Sequence, residues 1–348
     1  MSRTAIYTLT KQGCSLAKRL EDSIDADLYI PEKYIQIYEG IPFKGLVSLV
    51  KDNFNAYKKH IFITATGIAV RAIAPCLEKK DSDPAVVVLD QRGRFCISLT
   101  GGHIGGANAL ATKLAKLINA IPVITTATDT EDLPSIDMLA IKKDMAIGNI
   151  DAVKHVNMAI LEGDKIQVFD PEDRLSLKSE TSGMVDIRYM DPNDTWLSER
   201  PGIWVSWRNK GILDARYEKL LYLHPRCLVI GIGCNRGTGE KEIHSFILRT
   251  FEKRGLCLKS IKAIATIKAK RDEQGILKAA KKIGVPVSFF DVSILENIRI
   301  PNPSETVKRH MGVAGVCEAA AIAGAGMGKL IIPKTKDTNT TLAVAVHP

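Results

Sequence analysis

Thr100-Gly101-Gly102-His103-Ile104-Gly105-Gly106-Ala107-Asn108 sets the reading of this chain. Four glycines fall within six positions. An apolar run, Phe95-Cys96-Ile97-Ser98-Leu99, precedes them and reads as a strand; Ala107, Leu110, Ala111, Leu114 and Leu117 follow at helical spacing. A strand, a glycine turn and a helix start bring backbone N–H groups toward an anion and let a ligand approach the main chain closely. His103 is the one titratable group in the turn, so it is either a solvated histidine or a proton-transfer group.

The same logic recurs. His60-Ile61-Phe62-Ile63-Thr64 is a buried-type strand running into Ala65-Thr66-Gly67, with Arg71 one turn into the helix that follows. Pro122-Val123-Ile124-Thr125-Thr126 is a strand closing on Ala127-Thr128-Asp129. Strands alternating with helices predict a mainly parallel sheet, whose ligands bind beyond the carboxyl ends of its strands. The turns Thr64–Gly67, Thr100–Gly106 and Thr125–Asp129 are therefore expected on one sheet edge. Between them, Gln91-Arg92-Gly93 reads as a hairpin turn.

A second α/β unit starts at Cys227-Leu228-Val229-Ile230 and enters Gly231-Ile232-Gly233-Cys234-Asn235-Arg236-Gly237-Thr238-Gly239. Helices follow around Ile243–Phe251 and after Asp272-Glu273. Val313–Ala325 is an alanine-rich helix carrying one acid, Glu318, which must be either paired or functional. The stretch between the two units holds all three tryptophans and dense turn signals, Asp170-Pro171, Asp191-Pro192 and Arg200-Pro201. The fold class expected is α/β: two domains with mainly parallel sheets, residues 1–132 and 225–348, joined by a small α+β module, 133–224.

Composition narrows the function. With 348 residues, 45% of them hydrophobic, the chain has apolar mass for real cores. Seven scattered cysteines form no CxxC pair, which favours a reducing, cytoplasmic setting over disulfides or structural zinc. No signal peptide or apolar span of membrane length is apparent, so no membrane association is expected. The net charge of +9 is spread along the chain, and only 6% of residues are aromatic. That disfavours a nucleic acid and suits a small substrate rich in carboxylates or phosphates.

The glycine runs do not match dinucleotide binding. The first has glycines at 101, 102, 105 and 106, the second at 231, 233, 237 and 239, and no Walker lysine follows either. There is no G-x-S-x-G elbow and no HExxH, and the histidines share no ligand spacing, so no protein-bound metal is expected.

Taken together, several stretches resemble the CbiG family of cobalamin biosynthesis, the cobalt-precorrin-5A hydrolases. They are Thr66-Gly67-Ile68-Ala69-Val70-Arg71-Ala72-Ile73-Ala74-Pro75, Asp83–Val88, Gly101–Asn108 and Val123–Asp129, then Gly231–Thr238, Asp272-Glu273 and Gly312–Ala320. The last domain also resembles CobE. Gly101 stands where the family pattern has serine, Lys268 where it often has an acid, and Cys317 where it has alanine.

The resemblance implies a reaction: opening of the ring A δ-lactone of a cobalt corrinoid, with loss of acetaldehyde. It implies no resident cofactor, since cobalt arrives and leaves with the substrate. It makes His103 and Glu318 the expected catalytic residues. Thr66, Gly67, Arg71, Gly101, Gly102, Gly105, Gly106, Asn108, Thr125, Thr126, Asp129, Cys234, Asn235, Arg236, Lys270 and Glu273 are the expected substrate contacts. Backbone N–H groups around Gly102–Gly106 are expected to receive an oxyanion. A corrinoid carrier without catalysis and, more remotely, a nucleotide-dependent enzyme stand as alternatives. Other enzymes of the pathway and a second copy of the chain are the protein partners to be considered.

Overall fold

The computed structural model describes residues 4–348 except 22, 80–81, 104, 127–132, 134, 182, 184, 192, 210–216, 305–308 and 310–311. The chain is α/β, with three mostly parallel sheets, and divides into two compact units, Met1–Met138 and Leu139–Pro348.

The first unit is built on a seven-stranded sheet. Its strands are β1 (Thr4–Thr8), β2 (Ala26–Pro31), β3 (Ile41–Phe43), β4 (Lys59–Ile63), β5 (Ala85–Leu89), β6 (Phe95–Thr100) and β7 (Ile121–Val123), in the order β3-β2-β1-β4-β5-β6-β7. Successive side chains of a strand face opposite ways. Ile61 and Ile63 of β4 accordingly join Leu16 and Leu20 of helix Lys11–Glu21 and Leu110 and Leu114 of helix Ala107–Ile118. Phe62 joins the other layer, with Val50 of helix Leu46–Asn53 and Ala69 and Ala72 of helix Thr66–Ile73. Burial on both faces explains why β4 and β5 read as continuous apolar runs.

Strand direction corrects one expectation. β1 to β5 run parallel, but β6 is antiparallel to β5, pairing Leu89 with Cys96 and Val86 with Thr100. β7 is parallel to β6. The cause is local. The Asp90 carboxylate accepts the N–H groups of Arg92, Arg94 and Phe95, and Gly93 takes φ +66°, which closes a tight hairpin. The carboxyl end of β6 therefore lies beside the start of β5, at the opposite edge from the end of β4. The three polar turns do not share one edge. Thr100–Gly106 and Thr125-Thr126 lie on one, and Thr64–Gly67 on the other.

The second unit holds two five-stranded sheets. One consists of β8 (Met145–Ile147), β9 (Ile166–Phe169), β10 (Ile187–Tyr189), β11 (Gly202–Val205) and β12 (Leu220–Pro225), in the order β10-β9-β11-β12-β8, with only β8 antiparallel to its neighbour. Trp204 stacks on Phe169 at 4.1 Å between ring centroids and contacts Trp196. The other consists of β13 (Leu228–Cys234), β14 (Ile261–Ile267), β15 (Val287–Phe290), β16 (Lys329–Lys336) and β17 (Thr340–Val346), in the order β15-β14-β13-β17-β16. Here β13, β14 and β15 are parallel, β17 is antiparallel to β13, and β16 closes the edge antiparallel to β17.

The alanine-rich helix spans Val316–Gly324, shorter than the apolar run suggested, and packs directly on β13. A Cβ on Gly231 would fall on the Cys317 carbonyl oxygen, so the small residues of helix and strand are what let the two backbones approach. Cys317 is buried in that layer as a packing residue.

Candidate active site

The glycine turn after β6 is closed by its own backbone. Gly106 N–H donates to His103 O (2.8 Å), Ala107 N–H to Gly101 O (2.9 Å) and Asn108 N–H to Gly102 O (3.0 Å). The Gly106 amide, expected among the oxyanion donors, is spent on closing the turn. Gly101 and Gly106 have φ +69° and +85°, and a Cβ on Gly101 would lie 2.9 Å from Pro84 O. A glycine in place of the family's serine suits that backbone. A Cβ on Gly105 would lie 2.7 Å from Gly101 O, so these two residues approach closely.

Asn108 ties this edge together. It is buried at the start of helix Ala107–Ile118, accepts Ser98 Oγ at 2.6 Å and donates to Thr126 Oγ1 at 3.1 Å. Gly102 lies against the same pair, Asn108 and Thr126. Thr125 is exposed beside them, and Asp129 lies outside the described residues.

His103 is held in this turn with its Nδ1 3.3 Å from Asp137 Oδ2; both side chains are largely buried, 12% and 4% exposed. The sequence reading did not single out Asp137. The available signal was an acid in the first turn of helix Ile136–Lys142, followed by the apolar run Met138–Ile141. A buried carboxylate at such a position calls for a partner. Thr66, Gly67 and Arg71 are not part of this cluster. At the opposite edge Thr64 N–H donates to Leu89 O, and exposed Arg71 donates to Gly67 O at 3.2 Å.

In the second unit Cys234, Asn235, Arg236, Lys270 and Glu273 do come together, at the carboxyl edge of β13 and β14. Glu273 is the organising group. Its Oε2 accepts Gly237 N–H (3.1 Å) and its Oε1 accepts Lys270 Nζ (3.1 Å). Burial works against the carboxylate, but the Gly237 N–H and Lys270 outweigh it and hold its pKa below the usual carboxylate range. Arg236 pairs with Asp272 at 2.9 Å with both side chains in solvent. Asn235 takes the Asn339 carbonyl through its N–H and the Asn339 side chain through its Nδ2. Burial raises the Cys234 thiol above its ordinary value, so at neutral pH it is protonated and a poor nucleophile.

Glu318, the second expected catalytic residue, is held by three hydrogen bonds. It is completely buried, and its carboxylate accepts Asn302 N–H (3.1 Å), Asn302 Nδ2 (2.8 Å) and Lys334 N–H (2.8 Å). Its oxygens tie the segments around Asn302 and Lys334 to helix Val316–Gly324, a structural tether. Among the described residues, no three His, Cys, Asp or Glu side chains stand where they could share a metal ion. Nor is any helix there long and apolar enough to cross a membrane.

Comparison with known proteins places this architecture. The family descriptions "Cobalamin synthesis G N-terminal", "Cobalamin biosynthesis central region" and "Cobalamin synthesis G C-terminus" match residues 48–129, 134–225 and 228–345 in turn. A protein of Priestia megaterium named cobalt-precorrin-5A hydrolase is 34% identical over 99% of this chain and 95% of its own length. This chain belongs to the cobalamin synthesis G family. A Salmonella typhimurium member with the same name is 36% identical over 98% of this chain and 97% of its own length. Protein CobE of a Sinorhizobium species is 36% identical over 34% of this chain and 79% of its own length. In family terms, the glycine turn with His103 falls in the N-terminal match and Asp137 in the central one. Glu273 and Glu318 fall in the C-terminal match.

Proposed function

We infer that this chain is a cobalt-precorrin-5A hydrolase, a carbon–carbon bond hydrolase of cobalamin biosynthesis. The observation that carries the reading is the likeness, over nearly the whole chain, to two proteins bearing that name.

The chemistry falls into two steps. Water adds to the acyl carbon of the ring A δ-lactone, and the ring oxygen leaves as an alkoxide that takes up a proton. The freed alcohol then gives up its proton and the bond from its carbon to the macrocycle breaks. Acetaldehyde departs, and the electron pair and a proton remain on the macrocycle. His103 takes the proton from the attacking water and returns it to the departing alkoxide. The glycine turn allows the lactone to approach the main chain closely.

Cobalt enters and leaves with the substrate, which makes a resident cofactor unnecessary. The many acetate and propionate arms of a corrinoid suit the charge of +9. Arg236 and Lys270 are the cations assigned to those arms. Lys270 uses one donor on Glu273, and an ammonium has three. All seven cysteines are free thiols, which fits a reducing cytoplasm.

The test is incubation of the purified protein with cobalt-precorrin-5A, reading acetaldehyde and product mass. One acetaldehyde per corrinoid consumed is expected. Tight binding of the corrinoid with no acetaldehyde would make the protein a carrier instead.

A further inference from the structure

We propose that Asp137 is the positioning residue of His103: it fixes the imidazole with its proton on Nδ1, so that Nε2 is the atom presented for proton transfer. The proposal rests on the hydrolase reading above and deepens it.

Three observations carry it. Asp137 Oδ2 lies 3.3 Å from His103 Nδ1, on the imidazole atom whose protonation decides what the other nitrogen can do. The carboxylate can only accept a hydrogen bond, so the contact is bonding only when Nδ1 carries the hydrogen. Both side chains are largely withdrawn from water, which strengthens the interaction relative to an exposed pair.

The surroundings fit a preset geometry. His103 sits in a turn closed by three backbone hydrogen bonds, with the Gly106 amide bonded to the carbonyl of His103 itself. Asp137 is on a helix, Ile136–Lys142, and its neighbours Ile136, Leu139 and Ala140 are buried. A hydrogen-bonded turn holds the base and a helix holds the group that orients it. A carboxylate on one imidazole nitrogen raises the basicity of the other and stabilises the imidazolium formed when water gives up its proton. Asp137 touches no reacting atom in this scheme. It acts through His103.

The test uses full-length Asp137→Asn and Asp137→Glu proteins and two readouts. The first is the tautomer of His103 from ¹⁵N imidazole shifts, assigned by loss of the signal in His103→Ala. The second is acetaldehyde release from cobalt-precorrin-5A. In the parent protein the Nδ1–H form is expected at neutral pH. The Asn variant is expected to lose that preference, with kcat lowered by roughly 10²-fold or more and KM little changed. The Glu variant keeps a carboxylate and is expected to recover part of both.

A merely structural Asp137 would lower the melting temperature without moving the tautomer. An unchanged tautomer in a folded Asn variant overturns the proposal. Full turnover by His103→Ala would instead overturn the role of His103 as base, while the tautomer measurement still decides whether Asp137 sets its state.

Discussion

Glu318 receives the Lys334 backbone N–H at 2.8 Å from within a helix buried from Val316 to Ala321, and the same oxygen receives Asn302 Nδ2. One carboxylate therefore anchors segments 16 residues away on either side in sequence. Replacing Glu318 with Ala leaves the part-buried Asn302 and Lys334 donors without their acceptor, each lost bond costing about 1 kcal/mol. The C-terminal sheet is expected to melt well below the parent by urea titration. Glu318→Gln, which keeps one accepting oxygen, is expected to lose less. Acetaldehyde release per folded molecule is expected to stay within a few fold of the parent; a larger fall in a folded protein would restore a catalytic role.

His60 gives the first unit an acid-sensitive core. Its Nε2 lies 3.1 Å from the Phe54 carbonyl, which can only accept, so Nε2 carries the hydrogen and Nδ1 takes the Tyr7 hydroxyl at 3.2 Å. Burial lowers its pKa from 6.5 to about 4. Between those values the unfolded chain binds a proton that the folded chain refuses, so stability falls as pH falls. The loss begins near pH 6.5 and is complete below about pH 4, amounting to about 3 kcal/mol from the shift quoted. Hydrogen exchange of β1 and β4 amides across this range measures it, and His60→Phe is expected to flatten the dependence. The tryptophans, at 196, 204 and 207, report only the second unit.

Gly105 tests the turn itself. A Cβ there meets Gly101 O at 2.7 Å and Gly101 Cα at 2.9 Å, so the turn must open to accept alanine. Gly105→Ala is expected to cost about 1–3 kcal/mol of stability and to lower turnover more than ten-fold under conditions where the protein is fully folded. Circular dichroism alongside acetaldehyde assay separates the two effects. Unchanged turnover would free the turn from the chemistry.

Arg236 tests the second edge. Its pair with Asp272 is solvent-exposed, so Arg236→Ala is expected to change stability by less than about 0.5 kcal/mol. If the side chain receives a corrinoid carboxylate, KM rises several-fold, kcat is unchanged, and the salt dependence of KM becomes shallower. Identical kinetics at low and high salt would remove Arg236 from the binding surface.

Much of the fold was legible because its signals are local. The apolar runs of β4, β5 and β14, the helical spacing after Gly106 and the hairpin at Gln91–Gly93 appear as read, whereas β13 runs on through Gly231–Cys234, the first part of the expected glycine turn. The mistaken common edge came from treating β6 as one more parallel strand although that hairpin reverses the chain. The candidate site was only half visible. The glycine turn, Asn108 and Thr126 announce themselves by composition, and the cluster around Glu273 by its glycines and charges. The His103–Asp137 contact joins residues 34 apart through tertiary packing that no spacing rule encodes. Glu318 had to be compensated, but backbone N–H partners leave no mark on side-chain identity.

Single-turnover acetaldehyde release by His103→Ala tests the catalytic role of His103 most directly. Corrinoid binding measured by its visible spectrum is expected to persist, while acetaldehyde release falls by roughly 10²-fold or more. Release at the parent rate from a folded His103→Ala protein would contradict the account.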